Sequence, residues 1–337
     1  MSEEDARGFD AAVPRGAGPD ADLEVLREAL DDLRCEIRRR FGSAARGAAQ
    51  RGGPLSGLGW EEFAVSLRRR LSKLGMSERS GEVDEFGMDE VSLRHARPLL
   101  DFLFERYWRV DCAGVENLPQ KGPCLIVANR SGLLPYDGLL LCHAIERLHP
   151  SGVRPRFCVA DWLMTAPFVQ PALARLGGVR ACRENAARLL DAGAFVVVFP
   201  EGVKGAAKVF RERYQLKRFG RGGVIRVALE SGAPLIPVGI VGAEEVHPML
   251  FRWRLPARAL GLPYLPVTPT FPLLGPLGAL PLPSKWVIRI GRPVAFGNLE
   301  PDAARDELLL SRLTEDLRSE IQALVRVGLD ARESIWT

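Results

Sequence analysis

The sequence predicts an α/β fold: a mixed, mostly parallel sheet flanked by helices, preceded by a helical N-terminal extension. Three observations lead there. Strand-length apolar runs recur from about residue 110 onward, and most are separated by helix-length segments. Several are rich in Val and Ile, and 337 residues with 47% hydrophobic content suffice to bury one large core. Short β-branched runs alternating with amphipathic helices are the pattern of a sheet covered on both faces, and in such sheets ligands bind at the carboxyl ends of the strands.

Residues 1 to about 55 are rich in Gly, Ala, Arg and Asp, with Leu23, Leu26, Leu30, Leu33 and Ile37 at helical spacing. This is one helix between disordered flanks. A second amphipathic stretch, Trp60 to Gly75, sets Leu67, Leu71 and Leu74 opposite Arg68, Arg69, Arg70 and Lys73. It suits a helix packed on the main domain or one lying on a membrane surface. Residues 1–90 are thus read as a partly disordered extension, 91–300 as the α/β domain and 301–337 as a C-terminal helix.

Within the domain, "SLRHARPLLDFLFERYWRV" reads as a helix leading into a strand near Val110. Strands follow at 123–129, 156–161, 177–182, 194–200, 234–242 and 286–291, with helices at 138–148, 184–193 and 222–232. Residues 259–284 carry no charge and a proline every few positions. Such a segment cannot be a spanning helix. It is either a loop strapped across the core or an apolar surface for lipid or an acyl chain.

No window of eighteen apolar residues free of proline occurs, so any membrane contact is expected to be peripheral. The N-terminal twenty residues contain early acidic groups and no apolar stretch, which gives no sign of a secretory signal and points to the cytoplasm. Cys35, Cys112, Cys124, Cys142, Cys158 and Cys182 are scattered without a C-x-x-C pair. Most lie in apolar runs as small hydrophobes, and no metal site is expected. The net charge of +4 is too weak to demand a nucleic-acid partner; the clustering of positive residues matters more.

Four stretches lie at strand ends or within a strand. "IVANRSGLLPYDG" runs from Ile126 into a polar turn and the start of a helix; Arg180 and Arg183 follow a later strand; "AFVVVF" ends in Pro200, Glu201 and Gly202, then Lys204; and Pro237 lies inside another strand. Taken in order, they resemble the four motif boxes of the glycerophosphate and lysophosphatidic acid acyltransferase family. The resemblance covers about residues 110 to 295. It implies a glycerolipid acyltransferase-like fold and transfer of an acyl chain from an acyl thioester, on coenzyme A or acyl carrier protein, to the hydroxyl of a lysophospholipid or related glycerolipid. It further implies no bound cofactor and a protein peripheral to the inner membrane face. It assigns ring orientation to Asp137, substrate positioning to Glu201 with Gly202, and phosphate binding to Arg183, with Arg180 beside it, and to Lys204, with Lys208 nearby.

The first box of that family is His, four variable residues, then Asp. Here Arg130 stands at the histidine position, and Asp137 is seven residues on. Gly132 and Pro135 allow the longer turn to fold back and bring both side chains together. The arginine is a chemical departure, since a guanidinium cannot take a proton from a hydroxyl, although it can hold a phosphate, a carboxylate or Asp137 itself. Transfer is therefore expected to be impaired, and a non-catalytic lipid or acyl-thioester binder is the alternative. Of the four histidines, His143 falls in a helix that Asp137 is expected to cap, turned away from the aspartate. His149 and His247 each precede a proline and could enter from loops; His95 completes the set.

The run from Lys204 to Arg221 interleaves Lys208, Arg211, Arg213, Lys217 and Arg218 with Phe210, Tyr214 and Phe219. It reads as an electropositive rim for phosphate on coenzyme A, an acceptor headgroup or anionic membrane, or as a solvated basic loop. Nucleic-acid binding is the weaker alternative.

Overall fold

The computed structural model describes residues 83–336, apart from breaks at 133, 166–168, 221, 254–256, 258–262, 276–277, 279, 295 and 297–300. The two amphipathic stretches at 20–41 and 60–75 lie outside the described residues.

The chain enters through α1 (Glu90–Phe102), whose N-cap Asp89 accepts from the amides of Val91 and Ser92. One π-turn (Leu103–Tyr107) then leads to β1 (Asp111–Ala113). After it come β2 (Cys124–Ala128), α2 (Tyr136–Leu148), β3 (Arg156–Val159), α3 (Asp161–Met164), α4 (Val169–Arg175) and β4 (Gly178–Arg180). The central part continues with α5 (Arg183–Asp191), β5 (Phe195–Val198), α6 (Gly202–Ala206), α7 (Gly223–Ser231) and β6 (Leu235–Val241). Short strands β7 (Phe251–Trp253) and β8 (Leu265–Val267), then β9 (Val287–Ile290) and the long α8 (Glu307–Asp330), complete it.

Seven strands form one sheet in the order β1-β9-β6-β2-β5-β3-β4, parallel except where β9 runs antiparallel to β6. The mostly parallel sheet read from the sequence is the sheet observed. Every residue of β2 and β6 is buried, as central strands covered on both faces must be. Alternate residues of β2 serve opposite layers: Cys124, Ile126 and Ala128 join the cluster under α2, with Leu140, Leu141 and Ile145, while Leu125 and Val127 join the cluster under α5, α7 and α8, with Leu189, Ile225 and Ile321. Gly239 lets α8 approach, since a Cβ there would lie 2.7 Å from the Leu324 carbonyl carbon and the Val325 nitrogen. The C-terminal helix is thus one of the layers covering the sheet.

The uncharged segment departs from a plain loop. Its residues 265–267 form β8, paired antiparallel with β7, so that Phe251 faces Val267 and Trp253 faces Leu265. Leu250, Phe251 and Trp253 at β7 and Leu273, Leu274 and Leu280 further along the segment are exposed, while Tyr264 and Thr268 are buried.

Among the described cysteines none is paired, and burial pushes the thiols of Cys124, Cys142 and Cys158 up to about 12. They pack as small hydrophobes.

Candidate active site

Strand order brings the turns after β2 and β5 together. Strands β2 and β5 are parallel neighbours with Val127 opposite Val198. Arg130 and Glu201 each lie three residues past that pair, on turns leaving the same edge of the sheet. The Arg130 amide donates to Glu201 Oε1 at 2.9 Å. Asn129 fastens the turn to β6, its side chain exchanging two bonds with the backbone of Ile240 at 2.7 and 2.9 Å.

Between Arg130 and Asp137 the chain folds back, with Gly132 at φ +65°. The guanidinium of Arg130 donates to Asp137 Oδ1 at 2.5 Å, while Oδ2 accepts from the amide and hydroxyl of Ser131 at 2.9 and 3.2 Å. Asp137 is fully buried and Arg130 nearly so. Burial pushes the Asp137 carboxyl above the usual carboxylate range, against the pull of the Arg130 guanidinium and the amides of Ser131 and Gly138. The expectation that Asp137 caps α2 is corrected. Pro135 holds the cap position without a side-chain bond, and Asp137 sits in the first turn with its oxygens aimed back at the Arg130 loop.

Glu201 is equally buried. Its Oε2 accepts from the Lys217 amide at 2.7 Å and faces Lys208 Nζ at 3.4 Å. Lys208 also donates to Glu244 Oε1 at 2.6 Å, and Glu244 Oε2 accepts from the Tyr214 amide at 2.9 Å. The placing of Lys208 on an electropositive rim is therefore corrected: two carboxylates draw its ammonium into the interior. Tyr214 and Phe219 are buried too, so two aromatics of the basic run are core residues rather than stacking faces.

Gly205 makes the assembly possible. A Cβ there would stand 2.5 Å from Glu201 Cβ and 2.9 Å from Arg130 Cβ, so α6 rests directly on both turns. Gly202 takes φ +55°, a left-handed backbone that turns the chain into α6, and Lys204 projects from α6 into solvent.

Arg180 and Arg183 are not brought to this cluster. Strand β4 is the sheet edge, with β3 and β5 between it and β2. Arg180 forms a two-pronged pair with Asp161 at 2.9 and 3.1 Å, and Arg183 pairs with Glu230 at 3.2 Å. Arg183 lines a separate cleft with Cys182 and Pro200. Lys204, Lys217, Arg218 and Arg252 line one cleft with Tyr264, and the Lys217 amide bonds Glu201.

Tyr264 also borders an apolar cavity of about 230 Å³. Gly132 and Leu134 from the Arg130 turn form one wall, Gly205, Ala206 and Lys208 another, and Phe210, Met249, Leu265 and Phe271 the rest. Its polar lining includes Glu244 and His247. The other histidines lie elsewhere: His95 bonds the Val91 carbonyl on α1, His143 pairs with Asp101 at 3.0 Å, and His149 bonds Ser151 at 2.7 Å. Sequence reasoning missed Gly205 and Glu244; the small residue four past Glu201 was the available signal for the first. Among the described residues no three His, Cys, Asp or Glu side chains converge as metal ligands, and no helix is long and apolar enough to cross a membrane.

Adjoining parallel strand ends thus carry paired basic and acidic groups, with an apolar cavity walled by the Arg130 turn and a basic cleft that shares Tyr264 with it. The family model described as Acyltransferase matches residues 109–241, the segment from β1 to β6 that holds the Arg130, Asp137, Glu201 and Lys204 positions. The uncharacterized protein Rv0502 of Mycobacterium tuberculosis is 44% identical over 255 residues, covering 75% of this chain and 71% of that one. The chloroplastic 1-acyl-sn-glycerol-3-phosphate acyltransferase BAT2 of Brassica napus is 27% identical over 146 residues, 42% of this chain and 40% of that one. The crystal structure of the 1-acyl-sn-glycerophosphate acyltransferase PlsC from Thermotoga maritima superposes with a TM-score of 0.45 at 20% identity, covering 81% of this chain and 90% of that one. The chain belongs to one family with Rv0502, and its segment 109–241 carries the Acyltransferase match.

Proposed function

We propose that this protein transfers an acyl chain from a thioester of coenzyme A or acyl carrier protein to the hydroxyl of a lysophospholipid or related glycerolipid. The observation that carries the reading is the apolar cavity walled by the Arg130 turn and α6. A saturated chain needs an apolar slot, and its thioester must end beside groups that orient an acceptor. The basic cleft that shares Tyr264 with the cavity suits the phosphate of the acceptor or of coenzyme A. Strand alternation supports a membrane approach: along β7, Phe251 and Trp253 face solvent while Arg252 lines the basic cleft. Exposed aromatic and leucine side chains beside a basic cleft suit an interface of lipid and water.

A second reading, a non-catalytic binder of lipid or acyl thioester, is favoured by the closed Arg130–Asp137 pair, which occupies the place of the family's His–Asp pair. Thiol release from palmitoyl-coenzyme A, with and without oleoyl lysophosphatidate, separates the two. Acceptor-dependent release supports transfer, whereas saturable palmitoyl-coenzyme A binding without release supports the binder.

A further inference from the structure

The sequence resemblance assigns phosphate binding to Arg183, with Arg180 beside it, and to Lys204. Arg180 and Arg183 are paired elsewhere, with Asp161 and Glu230, and neither lines the apolar cavity or the basic cleft beside it. An anionic group held next to the cavity must therefore be held by other cations. The partition between the two spaces is thin: Gly205 and Ala206 of α6 line the cavity, Val203, Lys204 and Ala207 line the cleft, and Tyr264 borders both.

Charge in the cleft is unbalanced. Among the described residues its lining holds four cations, Lys204, Lys217, Arg218 and Arg252, and one carboxylate, Glu212, which Lys217 takes at 3.0 Å. The side chains of Lys204, Arg218 and Arg252 have no hydrogen-bond or ion-pair partner among the described residues. The segment that carries Arg252 supplies none either, since no Asp or Glu occurs between Glu245 and Glu300. Three unmatched cations around one cleft suit a ligand group with more than one negative charge.

Strand register sets Arg252 at the boundary. It stands directly opposite Pro266 of β8, and directly opposed residues of an antiparallel pair share a face. Pro266 lines the cavity. Phe251 and Trp253, one residue to either side, belong to the other face and are exposed. Arg252 also lies beyond residues 109–241, the segment that carries the Acyltransferase match.

We infer that Arg252, with Lys204 and Arg218, holds a phosphate monoester and so selects substrates that carry one. This rests on the reading above that an acylated substrate occupies the cavity. A phosphate monoester bears about −1.5 to −2 charge at pH 7. The planar guanidinium of Arg252 can take two of its oxygens in one fork, while Lys204 and Arg218 offset the remaining charge. Two substrates bring this group: a lysophosphatidate acceptor in its headgroup, and coenzyme A on its ribose.

The test is calorimetric binding to the full chain of soluble octanoyl ligands in two matched pairs. One pair is octanoyl lysophosphatidate against monooctanoylglycerol; the other is octanoyl-coenzyme A against octanoyl-dephospho-coenzyme A, which lacks the ribose phosphate. The unaltered protein should prefer the phosphate-bearing member of at least one pair by about 10- to 100-fold, the worth of a charge-assisted contact. Arg252→Gln should remove most of that preference, Arg252→Lys should keep part of it because charge remains without the fork, and Lys204→Gln should lower it with Arg252 in place. Loss in the first pair identifies the acceptor headgroup as the source of the phosphate and loss in the second identifies coenzyme A; either supports the inference. No preference in the unaltered protein overturns it, as does a preference that Arg252→Gln leaves unchanged. Equal weakening of both members of a pair, with a lowered melting temperature, also overturns it, because that marks a packing role. These arms read binding alone, so failure of the inference leaves thiol release to judge transfer, and failure of transfer leaves the preference to judge Arg252.

Discussion

Arg130 and Asp137 form a buried ion pair, guanidinium to carboxylate at 2.5 Å, where the sequence resemblance would place a His–Asp pair. The seven-residue spacing is closed by the reversal at Gly132. The pair explains how arginine is tolerated at a buried strand end: it neutralises a carboxylate that would otherwise stand charged in the interior.

Removing one partner should therefore cost more than removing both charges. Arg130→Leu is expected to destabilise the fold by about 3–5 kcal/mol, because Asp137 is left uncompensated. Adding Asp137→Asn should recover part of that loss, since Asn carries no charge and keeps an acceptor for one of the two amides that bond Asp137, those of Ser131 and Gly138. Urea unfolding of the two single variants and the double variant checks it; additive losses would show that the pair is uncoupled.

Arg130→His addresses chemistry at the same place. It should raise thioester turnover, because the new ring would stand next to Asp137 as the sequence resemblance implies for the first box. Steady-state thiol release checks it, and Asp137→Ala should abolish the gain.

Gly205→Ala is expected to destabilise by about 1–3 kcal/mol by overpacking. The added methyl meets the Cβ atoms of Glu201 and Arg130, which are fixed by their own turns and cannot swing aside as a long side-chain end could. Thermal unfolding, together with palmitoyl-coenzyme A binding, reads both the packing loss and the disturbed cavity wall.

His143 gives a pH signature. Burial holds its pKa below the ordinary 6.5, against the pull of Asp101. Its Nε2 faces Asp101, while buried Nδ1 has no hydrogen-bond partner among the described residues, as suits a neutral ring. The unfolded chain thus binds the proton more readily. Stability from this group is full above pH 6.5 and declines as the pH falls from there through the folded value. The difference in stability between the unaltered protein and His143→Gln should shrink as the pH is lowered from 7.5 to about 5 in urea titrations. A constant difference contradicts it.

Most of the fold was legible because strand and helix periodicities are local properties: each strand run read from β2 to β6, and that of β9, contains a strand. Strands β7 and β8 were not, since three residues are too few to show a period and Pro266 interrupts β8. The site was half legible. Asp137, Arg130 and Glu201 sit on turns whose family order is visible in the sequence, and the parallel pairing of β2 with β5 makes them meet. Lys208 was misplaced because a lysine in a basic run looks solvated, and its partner Glu244 is 36 residues away. Arg180 and Arg183 looked equivalent to the other cations because strand order, which puts β4 at the sheet edge, is a tertiary property.

Membrane contact has its own test. Phe251→Asp with Leu273→Asp should reduce sedimentation with vesicles of phosphatidylglycerol and phosphatidylcholine while leaving the melting temperature nearly unchanged, because both side chains are exposed. Charge reversal at Lys204 and Arg252 should weaken the same association, and more so at low salt. A large drop in melting temperature for the first pair would show instead that the β7–β8 segment is a packed part of the core.

The central claim is acyl transfer, and the most direct measurement is mass-spectrometric detection of the acylated product after incubating the unaltered full chain with palmitoyl-coenzyme A and oleoyl lysophosphatidate. The account predicts palmitoyl-oleoyl phosphatidate accumulating in step with free coenzyme A, at a rate that depends on both substrates. Saturable binding of palmitoyl-coenzyme A, with neither product nor thiol forming above the protein-free rate for coenzyme A or acyl carrier protein donors, would contradict it.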